Sequence, residues 1–189
     1  MLKRLMPAFA FLLLALPHSS VWADEYSDTI SIFKEAGESG KFFNNAYGYA
    51  VFPTIGKGGI LVVGGAYGSG HVYEQGKVIG EAKMTQVSVG PQLGGQGYSE
   101  IIFFQDQRAL KEFTSGSFEF AADASVVAIT AAANASASTT GASAGASGGK
   151  RDATTVGTYN KGMATFTVAK GGLMYQAAIA GQKFSYKPH

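Results

Sequence analysis

Glycines and strand-forming residues are interleaved through one long stretch of this sequence, and that stretch limits what the chain can fold into. Residues 56–97 hold 13 of the 26 glycines, set among isoleucine, leucine, valine and tyrosine. Glycine in a flexible linker has polar neighbours, whereas these neighbours favour strands and need burial. The stretch therefore predicts a packed sheet in which glycine marks bends, bulges or close contacts between backbones.

The first 23 residues have the features of a Sec signal peptide. Lys3 and Arg4 precede an apolar run over residues 8–16, and Val21-Trp22-Ala23 resembles a signal peptidase site. Cleavage is expected before Asp24. The chain has no cysteine, which excludes a disulfide framework and a lipid-modified cysteine. These features predict a periplasmic protein.

The remaining residues, 24–189, have the length of a single domain. Without Lys3 and Arg4 this part carries 13 basic and 13 acidic residues, so its net charge is zero with histidine neutral. A neutral domain lacks the positive field that dominates nucleic-acid affinity. Nucleic acid is therefore not expected as a partner.

The first part of the domain predicts one helix and then strands. Tyr26, Ile30 and Phe33 recur at helical spacing, and a glycine at position 37 or 40 should end the helix. A short strand over 47–52 should stop at Pro53, because proline cannot donate to a strand ladder.

Two runs, 60–63 and 101–104, are apolar on both faces and predict central strands. Between them, residues 74–77 predict a tight hairpin with Gly76 at positive φ. Over 81–89 one face carries charged residues first and valines later. That pattern predicts either a bulge near Gln86 or a face that passes from solvent to core.

The second part of the domain predicts two helices, a loop and more strands. Asp106 is a good N-cap, and apolar spacing predicts a further helix over 117–133. The Ala/Ser/Thr/Gly tract at 134–149 predicts a low-complexity loop. Strands should follow over 158–168, 173–179 and 184–186. The predicted fold class is α+β: a strongly curved, mainly antiparallel, glycine-rich β-sheet or barrel-like sandwich with an N-terminal helix and two central helices.

The motifs that could carry catalysis lack the surroundings they need. Ser143 fits the G-x-S-x-G pattern of hydrolases, but it lies in the low-complexity tract with no strand before it. His71 is interpreted as a strand residue, and the histidines and carboxylates have no metal-ligand spacing. The glycines around Lys57 match no phosphate-binding loop. We expect no enzyme activity, no cofactor and no metal.

Lys41-Phe42-Phe43 places a charge beside two large rings where the helix passes into the sheet. In one interpretation the rings fill the core. In the other they form an interfacial element, whose rings enter lipid while lysines meet phosphates.

Several segments, in order, resemble the SYLF-domain family. They are GYAVFP from Gly48, the Gly-Lys-Gly-Gly turn at 56–59, Gly94-Gly95 with IIFF, SFEFAADASVVA from Ser117, and GGLMYQAAIAGQKFSY from Gly171. The resemblance spans nearly all of residues 24–189. It implies a small α/β domain that binds lipids through a basic N-terminal amphipathic helix. It also implies phosphoinositide ligands in eukaryotic members and actin filaments in some members.

We therefore predict a non-enzymatic periplasmic domain that binds phospholipid or associates with a membrane. Its expected partner is an anionic phospholipid or membrane surface, and the expected lipid-binding residues are Lys34, Lys41, Phe42, Phe43 and Lys57. The alternative is a structural or protein-interaction module of the cell envelope, an actin-binding-type scaffold by family resemblance, with an envelope protein as partner.

Overall fold

The computed structural model describes residues 20–121, 126–129, 158–170 and 181–189. They form an α+β fold in which a strongly curled, half-barrel sheet carries two helices. The elements in chain order are α1 (Ser20–Glu35), a 3-10 helix (Gly40–Asn44), β1 (Gly48–Glu74), β2 (Lys77–Phe104), α2 (Gln107–Phe113), β3 (Ser117–Glu119), β4 (Val126–Ile129), β5 (Met163–Lys170) and β6 (Lys183–Pro188). The loop predicted at 134–149, the strand predicted at 173–179 and residues 1–19 of the predicted signal lie outside the described residues.

One long hairpin is the frame of the sheet. β1 pairs with β2 antiparallel from Gly48 opposite Phe104 to Glu74 opposite Lys77. The predicted turn joins them, with φ of 48° at Gln75 and 80° at Gly76. Positive φ at both central positions gives the turn a twist that matches the flanking strands.

The other edge of β2 binds two shorter strands. β6 pairs with residues 80–85 of β2 and β5 pairs with residues 97–104, both antiparallel. β3 extends the sheet beyond β6 in the antiparallel sense, and β4 lies parallel to β5. The sheet is thus mainly antiparallel, as predicted.

Pro53 does not end the first strand, contrary to the sequence prediction. β1 continues through it, and the pairing register shifts between Phe52 and Ile55. The carbonyl of Pro53 accepts a hydrogen bond from Ser99 Oγ at 2.7 Å. A bulge is where a sheet can accept a residue without an N–H, so proline and strand are compatible here.

Residues 56–59 form strand and not a turn. Gly56 pairs with Gly97, Lys57 with Gln96, and the next two glycines with Gly95 and Gly94. Glycine opposite glycine removes side chains from both strands of the ladder, which lets the ribbon curl. The prediction of a turn around Lys57 was wrong because the glycines were interpreted as turn residues, whereas they lie within the strand.

The second central helix predicted over 117–133 is not found in the described part of that segment, which contains two strands. Residues 117–119 form β3 and 126–129 form β4. Phe118 is half-buried, Glu119 is exposed and Phe120 is buried, which is the period of a strand. Val126 and Val127 are β-branched and favour the sheet. The first central helix is confirmed as α2, and Asp106 Oδ1 accepts from the backbone N–H of Ala109 at 2.8 Å.

The face of β2 that carries Glu81 stays on the outside as far as Val87, so neither a bulge near Gln86 nor a passage into the core by that residue explains its changing pattern. Pairing runs without a shift from Gly80 to Val89. Glu81, Lys83 and Thr85 are exposed, and Val87 on the same face is 79% exposed. The intervening residues Ala82, Met84 and Gln86 are buried.

The sheet has an apolar cluster on each face. The inner cluster, on the concave side, holds Phe52, Met84, Ile102, Phe104, Phe113 of α2 and Phe184. The outer cluster holds Phe33 of α1, Phe42, Val51, Ile101, Phe103 and Phe166. Residues 101–104 are fully buried, so the prediction of a central strand there is confirmed.

Two glycines allow the ends of β1 to meet on the concave side. A Cβ on Gly70 would lie 2.5 Å from the carbonyl oxygen of Val51 and 2.6 Å from the ring of Phe52. A Cβ on Gly68 would lie 2.6 Å from Cγ1 of Ile55. The hairpin can curl this tightly because no side chain separates the two segments.

Candidate functional site

The helix α1 presents Lys34 at one end of the outer cluster. Its predicted apolar face is confirmed, since Tyr26 and Phe33 are buried while Lys34 is exposed. Lys34 Nζ lies over the ring of Phe43, 5.4 Å from its centroid. An exposed cation over an aromatic ring contributes about 0.5–1 kcal/mol. The predicted residues Lys34 and Phe43 therefore lie together.

The two rings of the 3-10 helix have different surroundings. Phe42 is 5% exposed and lies among Phe103, Phe166 and Tyr159, with ring centroids 5.1–5.4 Å away. In this conformation Phe42 is a core residue, as in the first interpretation of this segment. Phe43 is half-buried between Tyr49 and Phe103, so part of its ring is exposed.

Lys41 is exposed on the 3-10 helix, between the end of α1 and the start of β1. The acidic residues Glu35 and Glu38 belong to the same end of the molecule, with Glu35 exposed and Glu38 half-buried. This end, defined by Lys34, Lys41 and Phe43, is called the α1 end below. It combines two cations with an accessible ring, and two carboxylates offset its charge.

Lys57 lies elsewhere. It is three residues from Thr54, whose hydroxyl donates to Glu25 Oε1 at 2.7 Å, and Lys170 Nζ lies 3.4 Å from the same oxygen. Glu25 is therefore held in the N-terminal half of α1, about 14 Å along the axis from Lys34 at 1.5 Å per residue. The structure does not bring Lys57 to the α1 end.

His71 lies in β1, as predicted, and its ring stacks on Tyr26. Tyr26 and His71 begin a row of aromatic contacts that continues through Tyr73 and Tyr49 to Phe43. Burial lowers the pKa of His71, with Glu81 opposing and His189 adding to that effect. The row links the N-terminal part of α1 to the α1 end through rings alone.

The described residues contain no group of three or more His, Asp or Glu side chains placed to hold a metal ion. Within the same residues, no helix is long and apolar enough to cross a membrane. Ser143, the candidate nucleophile of the hydrolase pattern, lies outside the part of the chain that the structure describes.

Sequence reasoning missed two features. Tyr67 and Val87 are 54% and 79% exposed on the outward face of the hairpin, where Tyr67 lies opposite Thr85 and Val87 opposite Gly65. Glu100 is fully buried within the central strand segment. A lone carboxyl beside the Ile-Ile-Phe-Phe run was the signal for the second feature.

Comparison with known proteins agrees with the resemblance seen in the sequence. A family model described as "Ysc84: Las17-binding protein actin regulator" matches residues 85–187. Beta cell expansion factor A from Aeromonas veronii is 27% identical over 163 residues, which cover 82% of this chain and 51% of that protein. The chain thus spans about half the length of this relative. The match to the family model covers more than half of the chain, and we conclude that the chain belongs to the Ysc84 family, the family of SYLF domains.

Proposed function

We propose that the chain is a non-enzymatic, membrane-associating domain that binds anionic phospholipid at the α1 end, in the periplasm. Family membership supports a membrane- or protein-interaction domain. The observation that favours lipid is the pairing of Lys34 with the accessible ring of Phe43, beside the exposed Lys41. A ring that enters the interface next to cations that meet phosphates is the arrangement of a peripheral membrane contact.

The proposed site differs from the predicted one in two residues. Phe42 is left out because its ring would have to leave the outer cluster, where it contacts Phe103 and Phe166. Lys57 is left out because it lies away from the α1 end. Each remaining lysine should contribute about 1 kcal/mol at an anionic surface, while the nearby Glu35 and Glu38 reduce that gain.

Co-sedimentation with vesicles tests the proposal. Residues 24–189 are mixed with phosphatidylglycerol or phosphatidylcholine vesicles at low salt. Lys34→Gln with Lys41→Gln should weaken binding to phosphatidylglycerol about 30-fold, the equivalent of about 2 kcal/mol. The matched control is Lys77→Gln with Lys83→Gln, which removes the same charge from exposed positions on the hairpin.

Two results would count against the α1 end. If both double variants lose the same affinity, binding depends on net charge and not on this surface. If the parent binds both vesicle types equally, the lipid is not selected by its charge. Phe43→Ser should lower binding at every salt concentration, because its contribution is apolar and is not screened.

The second candidate is a protein-interaction module. The family description names Las17 binding and actin regulation, and the exposed pair Tyr67 and Val87 offers an apolar contact on the hairpin face. Pelleting with filamentous actin separates the candidates. The protein module would be favoured if the parent binds filaments but not vesicles, and if the double variant Tyr67→Ser with Val87→Ser no longer binds filaments.

A further inference from the structure

A carboxyl group lies in the interior of the sheet, and no basic side chain of the described residues forms an ion pair with it. Glu100 is 0% exposed and faces the concave side, on the same face of β2 as Tyr98 and Ile102. Its cross-strand partners are Phe52 of β1 and Thr167 of β5. Directly paired residues have Cβ atoms about 5 Å apart, so Thr167 is an immediate neighbour.

Gln182, just before β6, holds this carboxyl in place. Its Nε2 donates to Glu100 Oε2 at 2.9 Å and to the hydroxyl of Tyr98 at 3.2 Å. Gln182 is itself fully buried. The amide nitrogen must face the carboxylate, because the reverse orientation would place two acceptors against each other. The amide oxygen of Gln182 is therefore left to find a donor elsewhere.

Unpartnered buried oxygens are concentrated at this point. Four buried side-chain atoms of the described residues lack a hydrogen-bond partner, and three of them are Glu100 Oε1, Thr167 Oγ1 and Gln182 Oε1. Leaving a buried polar atom unpaired costs about 1–3 kcal/mol. Three such atoms on adjacent side chains indicate a common partner that offers several donors and a positive charge.

We propose that Glu100, Thr167 and Gln182 bind a primary ammonium group, supplied either by an ethanolamine lipid headgroup or by a free amine. An ammonium group has three N–H donors for three oxygens, and its charge compensates the buried carboxylate. An anion would be repelled by the same oxygens. A quaternary ammonium group has the charge but no N–H to donate.

A glycine next to this cluster borders open space. Gly181 precedes Gln182 and is partly exposed, and a Cβ there would meet nothing within 4 Å. A small headgroup would approach the cluster from this side.

The protonation of Glu100 would make ammonium binding depend on pH. Burial raises the pKa of Glu100 to about 7, and the hydrogen bond from Gln182 acts in the opposite direction. Tyr98 is the neighbouring titratable group, and its phenol stays neutral because burial and Glu100 both raise its pKa. An ammonium group requires the ionised carboxylate, so affinity should rise between pH 6 and pH 8.

Calorimetric titration of residues 24–189 at pH 8 tests the site with four probes: ethanolamine, phosphatidylethanolamine vesicles, phosphatidylcholine vesicles and potassium chloride. We expect preference for phosphatidylethanolamine over phosphatidylcholine, an affinity about 10-fold lower at pH 6 than at pH 8, and loss of the preference in Glu100→Gln. The amide has the size of the carboxyl and is cheaper to bury, so this variant should fold. Binding of ethanolamine alone would assign a free amine, and binding of the vesicle only would assign the lipid.

The control variant is Glu81→Gln, which removes an exposed carboxylate from the same strand. Equal affinity for the two zwitterionic lipids, potassium binding as tight as that of ethanolamine, or unchanged binding by Glu100→Gln would each overturn the proposal. Absence of binding by every probe would mean that water alone serves these oxygens. The site is independent of the α1 end, so Lys34→Gln with Lys41→Gln should leave the ethanolamine titration unchanged.

Discussion

The rings of Tyr26 and His71 are stacked, with centroids 3.8 Å apart and an angle of 3° between their planes. Tyr26 is on α1 and His71 on the outward face of β1, so the contact attaches the helix to the hairpin. Tyr26 lies about two helical turns from Lys34, roughly 12 Å along the axis of α1. The orientation of the proposed lipid surface therefore depends on a ring pair remote from it.

Removing that ring should loosen α1. Tyr26→Ala deletes a buried aromatic side chain and its stack, and we expect a loss of about 3 kcal/mol in the free energy of unfolding. Tyr26→Phe keeps the stacking ring and should cost much less. Urea unfolding followed by circular dichroism measures both. An alanine variant as stable as the phenylalanine variant would contradict a structural role for the stack.

His71 should make stability depend on acid pH. Its pKa in the folded protein is lowered by burial, so the unfolded chain binds more protons just below the ordinary pKa. Stability contributed by the neutral ring is present above about pH 6.5 and declines as pH falls toward the lowered value. His71→Phe keeps an aromatic ring without a titrating group. The free energy of unfolding of the parent minus that of the variant should therefore decline when it is measured from pH 8 to pH 5.

Glu100 should make the protein less stable as the pH rises, which is the opposite of the effect of His71. Its pKa is raised by burial from 4.5 to about 7, so the folded protein binds the proton more tightly than the unfolded chain. Stability then falls as pH rises from 4.5 to 7, by roughly 3 kcal/mol in total. In the absence of added amine, Glu100→Gln should be more stable than the parent at pH 8 and should lose this decline. The prediction would be refuted if the difference in stability between parent and variant stayed constant from pH 4.5 to pH 7.

The glycines that face β1 should tolerate no side chain. Gly70→Ala would bring a Cβ against the Val51 carbonyl and the Phe52 ring, and we expect a loss of about 2–3 kcal/mol. Gly58→Ala is the matched control, because a Cβ there meets nothing within 4 Å. Thermal unfolding should place the control within about 0.5 kcal/mol of the parent. Equal effects would mean that the close approach at Gly70 does not limit the fold.

Variants of the two adjacent rings of the 3-10 helix, Phe42 and Phe43, should differ in their effects on stability and on vesicle binding. Phe42→Ala should cost about 3–4 kcal/mol, since the ring is buried among Phe103 and Phe166. Phe43→Ala should cost less, because part of its ring is already exposed. In vesicle binding the order should reverse, with the larger loss at Phe43. The two measurements on the same pair of variants check both expectations.

Local sequence determined the features that depend on neighbouring residues. The amphipathic spacing of Tyr26 and Phe33, the N-cap at Asp106 and the turn at Gly76 each have a short-range cause, and each was predicted. The apolar run at 101–104 predicted its own burial for the same reason. The ordered match of segments to the SYLF family was also visible without coordinates.

Tertiary structure decided what depends on contacts between distant residues. Residues 117–133 have apolar spacing compatible with a helix, but 117–119 pair with β6 and 126–129 pair with β5. Pro53 remains in β1 because a bulge and the hydroxyl of Ser99 accommodate it. Burial raises the pKa of Glu100, against the hydrogen bond from Gln182, and burial is a property of the assembled sheet. The glycines predicted that the sheet would be strongly curved. Only the structure shows where it curls, at the close approach of Gly70 to Val51.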